Sequence, residues 1–226
     1  MLNFMRRWAT QSAIWPSIDS ELTLAASMGL LKGLVLNAGA GQRDFSHLVE
    51  GELINQDIAW AHESRTHIHI YSPLERIPVS DCHFDTVVCI AVLEHVAEPD
   101  AAVREMFRVL KPGGYVVASV PFLQPEHKVP TDYQRYTRDG LERLFVTKGF
   151  EIDRIYPLFT IFHTLHWIAY EAIEEIGGRL KKILRYVILP PLALAARKST
   201  RSSDKLASAF QCIARKPLAP STDESA

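Results

Sequence analysis

The chain is poor in the residues that cross-link, charge or anchor a protein. Its three cysteines, Cys82, Cys89 and Cys212, fall at no metal-binding spacing, and two of them lie in apolar runs that read as strands. Buried reduced thiols and a cytosolic setting are therefore expected, rather than a disulfide framework. Neither sign of charge is in excess: 25 Lys and Arg face 26 Asp and Glu, a formal net charge of -1. That balance lacks the basic footprint of a duplex nucleic-acid binder, so no nucleic-acid partner is expected. Long apolar runs are missing too. The longest uncharged stretches of the segment from about 157 to 196, Ile155 to Tyr170 and Tyr186 to Ala196, are shorter than the roughly 18 to 20 residues of a bilayer span, and the first contains His163 and His166. After Arg6 and Arg7, the stretch "WATQSAIWPSIDSE" is broken by polar residues and Pro16, which argues against a cleaved signal peptide. No internal repeat is visible.

What is present is a chain of 226 residues, 47% of them hydrophobic, enough to bury the core of one α/β domain with decorations. From Gly33 to about Ile155, short β-branched runs alternate with helical periodicity, the pattern of βαβ units feeding a parallel sheet. The strand candidates are "LVLNA", "ELINQDI", "HIHIY", "FDTVVCIAV", "YVVASVP" and "FEIDRIY". Phe84 to Val92 is apolar after Asp85 and Thr86, as a central strand covered on both faces should be. Helices are expected over Leu22 to Leu31, from Pro99 until "KPGG" stops the element, and after Thr137 as N-cap until Gly149. From 157 to 198 the alternation gives way to an amphipathic helical insertion, bent at Gly177 and Gly178. The polar linker "RKSTRSSDK" and a last strand in "ASAFQCIARKP" follow. This divides the chain into an N-terminal helical segment (1–30), one domain (31–216) containing the insertion, and a disordered tail (217–226).

"VLNAGAG" places Gly39 and Gly41 at the end of the first strand. A dinucleotide fingerprint would put its third glycine where Asp44 stands, and the Lys-Ser/Thr ending of a phosphate loop is absent. An NAD-dependent oxidoreductase therefore has little support. A tight strand-to-helix turn of any α/β protein would read the same way. The next strand, however, ends at Asp57, where a carboxylate can accept both hydroxyl hydrogens of a ribose diol; the alternative for Asp57 is a solvated loop residue or a cap.

The run "FDTVVCIAVLEHVAEPDAAVREMFRVLKPGGYVVASVPF", Phe84 to Phe122, resembles the class I S-adenosylmethionine-dependent methyltransferases that act on small molecules, and the resemblance extends from Leu31 to about Tyr156. It implies a doubly wound, mostly parallel seven-stranded Rossmann-like sheet in the order 3-2-1-4-5-7-6, with the helical insertion before an antiparallel last strand. It also implies S-adenosyl-L-methionine as cofactor. The cofactor-binding residues on this reading are Asn37, Gly39, Gly41, the ribose acid Asp57, Leu74 with the backbone near Pro73 for the adenine, and Ile90. Two departures stand out: Asn37 occupies a position where many members carry an acid, and "YSPLERIP" has Ser72 and Pro73 where an adenine-binding Asp is common.

On the acceptor side, "HKVPTDYQRYT", His127 to Thr137, resembles a pattern in a subgroup of these enzymes associated with polysaccharide or glycolipid assembly. His127 is the candidate general base, and Tyr133 and Arg135 could present ring faces and donors to a hydroxylated acceptor. Equally, His127 could be structural, with Asp132 pairing to Arg135 to fix the loop. His95 fits a local hydrogen bond better than a ligand contact. His47, His62, His67 and His69 share no metal spacing, and no metal is expected. The insertion could pack on its own domain, form a homodimer face, or lie on a membrane surface through Arg179, Lys181, Lys182 and Arg185. A cytoplasmic methyltransferase, in one case peripheral at the inner membrane surface, is the expectation; a catalytically silent scaffold with the same fold is the alternative.

Overall fold

The β-branched and apolar runs pair into one sheet because each can bury both faces only between helices. The computed structural model describes residues 18–58, 66–128 and 130–218; the expectations for the first 17 residues, for His62 and for the tail from 219 onward lie outside the described residues. The strands are β1 (Lys32–Ala38), β2 (Glu50–Asp57), β3 (Ile70–Tyr71), β4 (Phe84–Ile90), β5 (Leu110–Pro121), β6 (Glu151–Leu158) and β7 (Ala209–Arg215). Their order is β3-β2-β1-β4-β5-β7-β6. Pairs from β3 to β5 are parallel, and β7 runs antiparallel to both β5 and β6, as expected from the sequence. The helices are α1 (Ile18–Ser27), α2 (Pro99–Val109), α3 (Arg138–Val146), α4 (Ile161–Ile176) and α5 (Gly178–Lys198).

The alternation of β4 divides the core. Val87 and Cys89 join Val103 and Met106 of α2 and Leu141 and Phe145 of α3, whereas Val88 and Ile90 join Leu22 and Ala25 of α1 on the other face. Each such buried side chain stabilises the fold by about 1.5–3 kcal/mol, so a polar residue at Val87 or Val88 would open one layer. Cys89 and Cys212 are buried free thiols, and Cys82 is an exposed one.

Three local expectations shift. The first helix ends at Ser27 rather than Leu31, because Leu30 N–H bonds back to Ala25 C=O at 3.0 Å and Gly29 N–H to Ala26 C=O at 2.9 Å, a pattern that closes the last turn. "HIHIY" gives only the two residues of β3, because the His69 imidazole Nδ1 accepts the Asn55 N–H at 2.9 Å in place of a ladder carbonyl. "KPGG" does not separate α2 from the strand but forms the irregular start of β5, where Leu110 pairs with Phe84 before the register shifts. Between β1 and β2 there is no α-helix, only a 3-10 turn at Ser46–Leu48. Thr137 caps α3 as expected, its Oγ1 accepting Gly140 N–H at 3.1 Å.

The insertion is a helical hairpin broken at Gly177. Trp167, Ile173, Leu189, Ala193 and Ala196 are buried, while Leu165, Ile168, Ile176, Leu180, Ile183 and Val187 are exposed. Lys181 and Arg185 both pair with Glu174 across the bend. Among the described residues no helix is long and apolar enough to cross a membrane. The hairpin starts at a capping box in which the Thr160 backbone N–H donates to His163 Nδ1 at 3.1 Å.

Burial holds the His163 imidazole down to about 4, with the neighbouring His166 adding to the effect. The unfolded chain then takes a proton near pH 6.5 that the folded chain refuses until near pH 4. Stability is full above the higher pH and falls as pH drops between them, by at most about 3 kcal/mol. Chemical denaturation across that range should show a steeper loss for the native chain than for His163→Gln; equal slopes would contradict the assignment.

Candidate functional site

The site begins where β1 ends. Gly39 and Gly41 both take positive φ (68° and 57°). A Cβ on Gly39 would meet Val92 at 2.5 Å, whereas one on Gly41 would meet nothing within 4 Å. The turn is sewn to the end of β2: Ala40 N–H donates to Gln56 C=O at 2.9 Å, Gly39 N–H to Gln56 Oε1 at 3.0 Å, and Gly41 N–H to Asp57 Oδ2 at 2.9 Å. Gln56 is held in turn by donating from Nε2 to Ser72 C=O at 2.6 Å. Glycine is needed at position 39 because Val92, just past β4, stands directly opposite, and the side chains at the end of β2 supply acceptors for the N–H groups of the turn.

Asn37 is buried and anchors this turn from below. Its Nδ2 donates to Asn55 Oδ1 at 2.9 Å and to Arg43 C=O at 3.2 Å. An acid could not donate there, so Asn37 is matched to Asn55 in this chain.

The far wall is built by the end of β4. Ala91 adopts φ +51°, costly for a residue with a Cβ, and its N–H is fixed by Ser119 C=O at 2.9 Å. The chain then makes the 3-10 turn Leu93–His95. The loop after β5 is laid on that turn: Tyr133 N–H donates to Glu94 C=O at 2.8 Å, and Gln134 Nε2 to Leu93 C=O at 2.7 Å. Within the loop, Arg135 grips Asp132 through two nitrogens and donates to Pro125 C=O at 2.8 Å, while Asp132 Oδ2 accepts His127 N–H at 2.7 Å. Burial opposes ionisation of Asp132, but these donors overcome it and hold the carboxyl down to about 2.

Between these walls lies a cavity of about 680 Å3. Of the sequence candidates, Gly39, Gly41, Asp57, Leu74, His127 and Tyr133 line it. Asn37 and Ile90 are buried and are not among its lining residues. Arg135 lines a smaller neighbouring cleft and is engaged with Asp132. His95, read from the sequence as a structural residue, lines the cavity, with its Nδ1 2.6 Å from Thr131 C=O. His127 sits 3.7 Å from Glu94 and 3.6 Å from Asp132, with the Trp167 ring of the insertion 5.3 Å away. Burial alone would lower its affinity for a proton, but Glu94, the Pro125 carbonyl and Asp132 outweigh burial and raise it. Sequence reasoning missed Gln56, whose partnership with Gly39 depends on register, and Glu94, whose complete burial is invisible in "LEHV". The position of Glu94 beside a histidine at the carboxyl end of a strand was the available signal.

A family model described as a methyltransferase domain matches residues 27–118. That match supports a class I S-adenosylmethionine-dependent methyltransferase. Among curated relatives of this domain, the ubiquinone/menaquinone biosynthesis C-methyltransferase UbiE of Shewanella oneidensis is 35% identical over 115 residues, 44% of this chain. The chain spans only about 45% of that relative's length. Among solved structures, the chain resembles SpnF, a 4+2 cyclase, with 18% identity, a TM-score of 0.59, and coverage of 89% of this chain and 81% of that one. It also resembles phosphoethanolamine N-methyltransferase 2 of Haemonchus contortus in complex with S-adenosyl-L-methionine, with 16% identity, a TM-score of 0.57, and coverage of 96% and 58%. At these identities the likeness is one of fold.

Restoring an acid at position 37 of the methyltransferase domain should harm it. Asn37→Asp turns the two bonds that Nδ2 donates into contacts between acceptors, and is expected to cost about 1–3 kcal/mol without tightening cofactor binding. Thermal unfolding and calorimetry check this; an unchanged midpoint with tighter binding would contradict it.

Proposed function

We propose that the chain transfers a methyl group from S-adenosyl-L-methionine to a small acceptor held at the edge of the cavity near His127 and Tyr133. The observation that carries the reading is the pinned glycine turn with Asp57 at its side. The residues present fit the cofactor: Gly39 leaves the backbone uncovered, and the Asp57 carboxylate, which accepts the Gly41 N–H at 2.9 Å and the Ile58 N–H at 2.7 Å, lines the cavity where a ribose diol would meet it. Pro73 and Leu74 stand where an adenine edge would rest, and Glu75 lines the same wall. When bound, S-adenosylmethionine supplies a methyl group already activated on a sulfonium.

The protein's task is then mainly positioning, plus removal of a proton when the acceptor is a hydroxyl. We place the acceptor side at His127, Tyr133 and the loop that Arg135 fixes; a neutral His127 is the base for a hydroxyl acceptor. The Tyr133 ring is half-exposed and free to stack on a sugar. A saccharide or lipid-linked saccharide is the acceptor class we favour. The exposed apolar residues of α4 and α5, with Arg179 and Lys182 beside them, support a membrane-surface position or a second subunit for the hairpin. Carbon methylation, the activity in the name of the Shewanella relative, is the second reading, because the matched methyltransferase domain, residues 27–118, ends before the loop we assign to the acceptor.

The test is transfer of labelled methyl from S-adenosylmethionine into fractionated host metabolites and lipids. A labelled product is expected with the native chain and at least tenfold less with Asp57→Ala or Gly39→Val, each of which should also weaken cofactor binding by at least tenfold. Native binding with no labelled product would favour a silent scaffold, and unaltered cofactor affinity in both variants would remove the site assignment.

A further inference from the structure

Glu94 raises a problem that the methyl-transfer reading leaves unanswered. Its side chain is completely buried, yet neither carboxylate oxygen has a hydrogen-bond partner among the described residues. A buried carboxylate without partners is costly and calls for a cation. Two imidazoles face it: His95 Nε2 lies 3.8 Å and His127 Nε2 3.7 Å from the same oxygen, Oε1. Both distances exceed a hydrogen bond, so neither ring satisfies the acid.

The two rings are edge to face, with centroids 4.9 Å apart. One ligand atom from each of the three residues lies within 4.8 Å of the others. Atoms so separated surround a point at most about 2.8 Å from each, and an inward shift of about half an ångström reaches the roughly 2.0–2.2 Å of zinc-type bonds to imidazole nitrogen and carboxylate oxygen. The outer nitrogens are already occupied. His95 Nδ1 donates to Thr131 C=O across 2.6 Å, which leaves Nε2 with its lone pair directed at the acid. His127 Nδ1 lies 3.4 Å from Pro125 C=O and 3.6 Å from Asp132 Oδ2, and Asp132 is itself clamped by Arg135. Outer-shell oxygens that orient metal-ligating histidines are arranged in this way.

We propose that Glu94, His95 and His127 hold a divalent transition-metal ion of the zinc type. Two imidazoles and a carboxylate suit zinc, manganese or iron better than magnesium, which prefers an oxygen shell. Since His95 and His127 both line the main cavity, the remaining coordination position faces it, as in catalytic rather than structural metal sites. An acceptor hydroxyl bound there becomes more acidic and releases its proton to water, so His127 serves as a ligand in the loaded protein and as a base only without the ion. This rests on the acceptor half of the proposed function; the cofactor half stands without it.

The test is calorimetric titration of the full chain, stripped of metal, with Zn2+, Mn2+ and Mg2+ separately, and with S-adenosylmethionine on the same samples. One Zn2+ or Mn2+ per chain is expected, at least tenfold tighter than Mg2+. Glu94→Gln and His127→Ala should each weaken that binding by tenfold or more. His127 is on a loop and partly exposed, so His127→Ala keeps the test open if Glu94→Gln fails to fold. Cofactor affinity should stay within about threefold in His127→Ala, which separates loss of the ion site from loss of the methyltransferase reading. Absence of stoichiometric ion binding in the folded native chain, or unchanged binding in folded His127→Ala, overturns the proposal.

Discussion

The site depends on the attachment of the turn after β1 to the end of β2. In a nucleotide-binding fold that cradles phosphates, an α-helix follows the glycine turn and its N-terminus holds the anion. Here a 3-10 turn takes its place. The turn must therefore be fixed by side chains, and Gln56 and Asp57 do this by accepting the N–H groups of Gly39 and Gly41. The same carboxylate that shapes the turn is the one the proposed function assigns to a ribose. A cofactor that presents no pyrophosphate is compatible with such a turn.

The rest of the site follows from sheet order. Because β1 and β4 are neighbours at the centre of the sheet, their ends form the two walls of one crevice, at the point where the chain direction of winding changes. The loop after β5 is then brought across the Leu93–His95 turn by backbone and side-chain bonds, and the insertion adds Trp167 above His127. Fold alone does not choose the chemistry: one structural neighbour is a cyclase and another a methyltransferase, on the same sheet.

Much of this was legible in the sequence. Strand order and the antiparallel last strand were implied by the family resemblance that Phe84 to Phe122 carries, whereas the Thr137 cap, the break at Gly177, and the convergence of Gly39, Gly41 and Asp57 follow from local patterns with a strong period or a strong turn signal. Three things were not. No helix follows the glycine turn, because "QRDFSHL" offers turn residues without an apolar helical face. Asn37 looked like a weakened family position, yet its partner Asn55 is set by parallel register between β1 and β2, which a single strand does not reveal. Glu94, His95 and His127 come together only through the loop that Asp132 and Arg135 fix. Histidine spacing along the chain could not find that cluster.

The central claim is that the crevice between β1, β2 and β4 holds S-adenosylmethionine. The most direct measurement is a crystal structure of the chain grown with S-adenosylhomocysteine. The predicted result is the ligand in the main cavity, with its ribose hydroxyls on Asp57 and its chain passing over Gly39. A ligand bound elsewhere, or one in that cavity making no contact with Asp57, would contradict the account.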